Sequence, residues 1–109
     1  MLVGQLLEYN NTTVYSRPQP SQSLQATCIV DVDVVVGSPT LVAAIQSKKR
    51  SATSWTTLGT FSAITGTGIH KLDVSAIEEL VRWAFTFTGG SNGDSTRIEY
   101  DMIYRSNAN

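Results

Sequence analysis

The sequence predicts an all-β, single-domain antiparallel β-sandwich, jelly-roll-like in layout, with one short helical turn near residues 75–80. Three observations carry this. Apolar residues recur at every second position over several long runs. Turn residues separate those runs at short intervals. No stretch keeps a helical period for more than about one turn. A pleated strand sends alternate side chains to opposite faces, so a period of two marks half-buried strands, and a chain of them marks a sandwich.

In order, residues 1–23 read as a short strand and an extended arm, and residues 24–109 as the sandwich domain. Met1 to Glu8 is mildly apolar and fits a short strand. Tyr9 to Ser23 carries Asn10, Asn11, Pro18 and Pro20 among polar residues, and its prolines hinder both helix and central-strand pairing. It reads either as a surface loop or as an arm laid on a neighbouring subunit. Leu24, Ala26, Cys28, Val30, Val32, Val34 and Val36 all share one phase, opposite Gln25, Thr27, Asp31 and Asp33. Gly37-Ser38-Pro39-Thr40 is turn chemistry. Leu41, Ala43 and Ile45 begin another strand; opposing Val36 with Leu41 would put all their apolar groups on one face. Lys48 to Ser54 is a polar turn, and Trp55 to Ile64 a less regular strand. Thr65-Gly66-Thr67-Gly68 turns the chain into a strand from Ile69 to Val74. Ser75-Ala76-Ile77-Glu78 has the spacing of a capping box, which predicts the helical turn.

The last two strands alternate most clearly. Val81, Trp83, Phe85 and Phe87 share one phase, as do Ile98, Tyr100, Met102 and Tyr104, with Gly89 to Ser95 between them. A hairpin opposing Phe87 with Ile98 and Phe85 with Tyr100 is self-consistent, since a slip of one residue would set Phe87 against Arg97. The same alternation arises if the two strands face each other across the sandwich.

A chain of 109 residues buries roughly two-thirds of its unfolded surface, enough for one core. The net charge of −1 argues against nucleic-acid binding, which needs a basic excess. A single cysteine forms no internal disulfide, and Cys28 lies in the apolar phase, so it reads as a buried small hydrophobe. Gln5 and Glu8 interrupt the early apolar run, so no signal peptide is expected, and no run approaches the length of a membrane span.

Candidate chemistry is sparse. Asp31 and Asp33 share an outer face and can bind a cation, but a calcium cage needs more oxygens, so solvation or cross-strand pairing with Lys48, Arg97 or Arg105 is the plainer expectation. His70 is the only histidine; Asp73 lies nearby in sequence, but no nucleophile-elbow motif accompanies them. Thr65 to Gly68 lacks the Lys-Ser/Thr of a phosphate loop and reads as a turn. Lys48-Lys49-Arg50 is either a solvated hairpin tip or an electrostatic contact with an acidic protein. Trp55 is either core or a stacking platform for a sugar. No enzyme activity, cofactor or metal is expected.

The runs Leu41 to Ser47, Ser54 to Gly68 and Val81 to Gly89 carry a resemblance. An apolar strand, a turn, Trp55-Thr56-Thr57-Leu58-Gly59-Thr60-Phe61, a glycine turn, a short strand, and Val81-Arg82-Trp83 leading to Thr88-Gly89 are similar to small β-sandwich structural proteins of tailed bacteriophages. In those proteins an Asp-Gly hairpin precedes the Trp; here Lys48 to Thr53 stands in its place. The resemblance implies a capsid decoration (cement) protein, a homotrimer on the major capsid protein, located on the virion surface and assembled in the host cytoplasm. A tail, adaptor or fibre module is the first alternative. A carbohydrate-binding module is the second, although the leading reading involves no glycan. Under the leading reading, the contact residues are Tyr9, Asn10, Asn11, Tyr15, Arg17, Pro18 and Pro20 of the arm, with Lys48, Lys49 and Arg50.

Overall fold

The computed structural model describes residues 2–8, 12–88 and 95–105. It is all-β, with two antiparallel sheets packed face to face. The strands are β1 (Leu2–Glu8), β2 (Thr12–Tyr15), β3 (Gln19–Pro20), β4 (Gln25–Val36), β5 (Thr40–Lys48), β6 (Thr56–Thr60), β7 (Gly68–Val74), β8 (Leu80–Thr88) and β9 (Ser95–Arg105). The first sheet has the order β1-β9-β4-β7, and the second β2-β8-β5-β6, with β3 also on β8.

Most strands adjacent in sequence fall in different sheets, β8 and β9 among them; β2 with β3 and β5 with β6 are the exceptions. The hairpin of Phe87 with Ile98 is therefore not formed: Phe87 sits opposite Leu41 of β5 and Thr12 of β2, and Ile98 opposite Val32 of β4 and Leu6 of β1. The apolar faces of β8 and β9 meet across the sandwich instead. Phe85 and Tyr100, partners in the hairpin register, touch with ring centroids 5.0 Å apart, and Trp83 stacks on Phe85 at 5.4 Å. The pairing of β4 with β5 fails for the same reason. The chain crosses between sheets through Gly37, in the left-handed region at φ 85°, and the buried Pro39. Packed sheets lie about 10 Å apart, a gap that a few extended residues span, so the turn at residues 37–39 permits a crossing as readily as a hairpin. Gly89 to Asp94 lie outside the described residues.

The core follows the inward phase of each strand: Ala26, Cys28, Val30 and Val32; Leu41, Ala43 and Ile45; Val81, Trp83, Phe85 and Phe87; Ile98 and Met102. The large aromatics each remove roughly 150–250 Å² from water and dominate its stabilisation. Cys28 is fully buried, as its phase predicts. Burial pushes its thiol up to about 12, with the Asp73 and Asp101 carboxylates adding to the effect.

Three expectations fail locally. The register of β4 against β9 shifts between Val32 and Val34. A bulge inserts one residue and resets the alternation, so Val34 and Val36 are exposed while Val35 packs against the core. Leu24 precedes β4 and is exposed too. The helical turn at residues 75–80 does not form. Ala76 takes φ 58°, and the Glu78 amide donates to Ser47 Oγ of β5 at 2.7 Å rather than to Ser75. Ile77 is still buried, anchored by its amide to the Leu24 carbonyl at 3.1 Å.

The described part of the arm lies on its own chain. Ser16 bonds both backbone groups of Trp83: its amide donates to the carbonyl at 3.0 Å, and its Oγ accepts from the amide at 2.8 Å. Ser21 bonds the Glu79 carbonyl through its amide at 3.0 Å and the Glu78 carbonyl through its Oγ at 2.6 Å. Residues 12–15 and 19–20 thereby form an edge of the second sheet.

Candidate contact site on the outer face of the second sheet

The inward phase of β8 leaves Arg82, Ala84 and Thr86 on the outer face. β2 lies on one side of β8 and β5 on the other. Register places Tyr15 beside Ala84, one diagonal step from Arg82, and Gln46 directly opposite Arg82. Both positions lie within reach of long side chains. Arg82 Nε donates to Gln46 Oε1 at 2.8 Å, and Gln46 Nε2 donates to Thr57 Oγ1 at 3.5 Å.

The guanidinium of Arg82 lies between two rings, 4.0 Å from the centroid of Tyr15 and 4.3 Å from that of Trp55. Lys48 Nζ lies 5.3 Å from the Trp55 centroid and donates to the Ala52 carbonyl at 3.1 Å. Trp55 is therefore not a core residue. It precedes β6 on the outer face, half-buried, where two cations lie against its indole. Each such contact contributes about 0.5–1 kcal/mol when exposed and about 2 when desolvated. Tyr15 remains 51% exposed, so the cluster is presented to solvent.

Of the residues the sequence marks for contact, the structure brings Tyr15 and Lys48 together here. Lys49 and Arg50 sit exposed on the turn beyond β5, where the Arg50 amide donates to Glu79 Oε1 at 2.8 Å. Arg17 and Pro18 are exposed between β2 and β3, and Pro20 sits opposite Leu80. Tyr9, Asn10 and Asn11 lie outside the described residues. Sequence reading did not select Arg82 or Gln46. Alternation alone puts Arg82 outward, but its partners become visible only once β8 is known to lie between β2 and β5. At the same end, a cleft of about 390 Å³ opens between the 49–54 turn and the 75–79 loop, lined by Ser47, Lys49, Ser54, Thr56, Ala76 and Glu78.

The outer face of the first sheet differs. Asp31, Asp33 and Glu99 each bring a carboxylate oxygen within 4.8 Å of the others. Asp31 sits opposite Glu99 and Ile69, so the expected pairing with Lys48, Arg97 or Arg105 is not what register provides. Lys48 is in the other sheet, and Arg97 lies opposite Val34 beyond the bulge. Three single oxygens fall short of the six to eight that calcium takes. Asp73, three residues from His70, faces the opposite side of β7 and accepts from Thr27 Oγ1 at 2.7 Å, so the two do not form a dyad. His70 Nε2 is buried with no hydrogen-bond partner among the described residues.

Fold and site together define an all-β sandwich that presents an aromatic and cationic face. Comparison with known proteins finds no matching family model, no matching curated protein and no matching solved structure.

Proposed function

We propose that the chain is a non-enzymatic virion structural protein: a capsid decoration protein that joins its neighbours through the face around Arg82. The observation that carries this reading is the Tyr15–Arg82–Trp55 stack on an open sheet face. Tyr, Trp and Arg are the residues that dominate protein–protein hot spots, because rigid rings and a planar cation bury much area with little loss of side-chain freedom. The strand order, β1-β9-β4-β7 over β2-β8-β5-β6, supports jelly-roll winding, an architecture common among capsid and lectin domains. Assembly as a homotrimer on the major capsid protein fits a module that stabilises a shell through many modest interfaces. A tail, adaptor or fibre module would use the same surface.

The test is native mass by sedimentation, for the wild type and for Trp55→Ala and Tyr15→Ala. The expected result is a trimer in the wild type and dissociation in the variants with the fold intact. A wild type that stays monomeric at every concentration removes the trimer reading. A trimer indifferent to both variants removes this face from the contact. Deleting residues 1–22 is the poorer test, because it strips an edge strand from each sheet.

The cleft of about 390 Å³, lined by Ser54 and Thr56 on either side of Trp55 in sequence, favours one second reading, a glycan-binding module. Binding on a glycan array that is lost in Trp55→Ala would support it.

A further inference from the structure

We infer that Arg82 is a pre-organised carboxylate receptor, and that an acidic side chain of the protein partner is what the outer face of the second sheet recognises. This rests on the protein-contact reading above and names the chemistry of the partner.

Arg82 is held in place by its neighbours. A free arginine side chain loses much rotamer freedom when it binds an anion. Here that freedom is already removed. The Arg82 guanidinium carbon lies 4.0 and 4.3 Å from the ring centroids of Tyr15 and Trp55, and Nε is bonded to Gln46 Oε1 at 2.8 Å. Gln46 is itself held by β5 directly opposite Arg82 and by its bond to Thr57. All of these contacts use the ring faces and Nε. The two terminal amino groups have no hydrogen-bond or ion-pair partner among the described residues, and Arg82 keeps part of its surface in solvent.

Those amino groups form the edge of the guanidinium that matches a carboxylate through two parallel hydrogen bonds. Lys48, against the same indole, adds a second positive charge to the cluster. A neutral sugar would use the ring faces for stacking, but in this cluster one face of each ring is already covered by Arg82. An anion at the guanidinium edge uses donors that the rings and Gln46 leave free, whereas a stacking sugar would have only the ring faces that Arg82 does not cover. Carboxylate is therefore the chemistry the site is built for.

The experiment titrates the intact protein with a labelled oligoglutamate peptide, with oligoglutamine as the neutral control and oligogalacturonate as a carboxylate borne on sugar. Trp55 emission and peptide anisotropy provide the readouts. Oligoglutamate should bind with strong salt dependence and oligoglutamine should not. Arg82→Lys keeps the charge but loses the fork, and should weaken binding by about tenfold or more while the protein stays folded, its melting temperature lowered by no more than the loss of the ring contacts and the Gln46 bond accounts for. Gln46→Ala frees Nε and should weaken binding several-fold without unfolding. Preference for oligogalacturonate over oligoglutamate would overturn the protein source while keeping the carboxylate fork. No binding of either probe at millimolar concentration overturns the inference, as does Arg82→Lys that binds like the wild type. A protein that sediments as a monomer yet binds oligoglutamate through Arg82 separates failure of the trimer reading from failure of this one.

Discussion

Replacing Ser47 should destabilise the domain far more than replacing Ser75, although the sequence points to Ser75 as the local anchor of residues 75–80. Ser47 is fully buried on the inner side of β5. Its Oγ accepts from the Glu78 amide at 2.7 Å and donates to the Leu80 carbonyl at 2.9 Å. Ser47→Ala removes both bonds at once. A typical internal hydrogen bond contributes about 0.5–1.5 kcal/mol net, and a group left buried without a partner costs about 1–3. The sum is about 2–3 kcal/mol, which in a domain of this size lowers the melting temperature by roughly 10–20 °C. Ser75 is exposed, and Ser75→Ala should stay within about 0.5 kcal/mol of the wild type. Urea unfolding reads both values, with an unchanged m-value showing that the native and unfolded surfaces are the same. If the two variants cost the same, or Ser47→Ala is neutral, the Ser47 anchor is wrong and a capped helical turn is the better account.

Three further outcomes follow from the packing. Cys28 is pushed up to about 12 by burial and then by Asp73 and Asp101, above the unfolded thiol near about 8.5. Its contribution is therefore complete below about pH 8.5 and lost as pH rises toward about 12, so the urea midpoint should fall across that window. Cys28→Ala should flatten part of the fall. Burial also raises Tyr100 and Tyr104, so a residual slope should persist in that variant. Gly59→Ala would bring a Cβ to 3.1 Å from Leu72 Cδ2 and 3.4 Å from Val74 Cγ1, where β6 and β7 approach across the sandwich, so the Leu72 side chain must shift and the variant should be less stable than Gly66→Ala by up to about 1 kcal/mol. Gly66→Ala, with nothing within 4 Å, should be neutral or slightly stabilising, and equal costs at the two glycines would refute the close approach. Glu99→Gln should raise the unfolding free energy at low salt by a few tenths to about 1 kcal/mol, read as a higher urea midpoint, since Glu99 sits directly opposite Asp31. That gain should vanish near 1 M salt, and a loss of stability instead would show that the three carboxylates are not a repulsive set.

The strands were legible because period-two alternation is set by which face is buried, and the burial of Val81, Trp83, Phe85 and Phe87 is what selects their spacing. Neighbour identity was not legible, because alternation fixes a face and leaves the partner strand open. Phe85 against Tyr100 satisfies a hairpin and a cross-sandwich contact equally well. The shift at Val32/Val34 was hidden for a related reason, since a run of valines looks the same on either side of a bulge. The capping signature at Ser75 is local, and it lost to Ser47, 31 residues from Glu78 in sequence, which no local window includes. Trp55 read either as core or as a stacking platform, since one residue's alternation does not decide between them; its neighbours Arg82 and Lys48 appear only once the strands are in place.

The contact face and the core are also less separate than their positions on opposite sides of the sheet suggest. Arg82 and Trp83 are consecutive, and β8 lies between β2 and β5, so the strand that presents Arg82 is the one held hardest from behind. Trp83, fully buried and stacked on Phe61 and Phe85, fixes the backbone from which Arg82 projects. Ser16, bonded to both backbone groups of Trp83, fixes the edge that carries Tyr15. A site on such a strand holds its geometry better than one on a loop, where each contact would first have to order the chain. Under the proposed reading, the described part of the arm would serve recognition without reaching out: by pairing along β8, it sets one of the two rings that lie against the guanidinium.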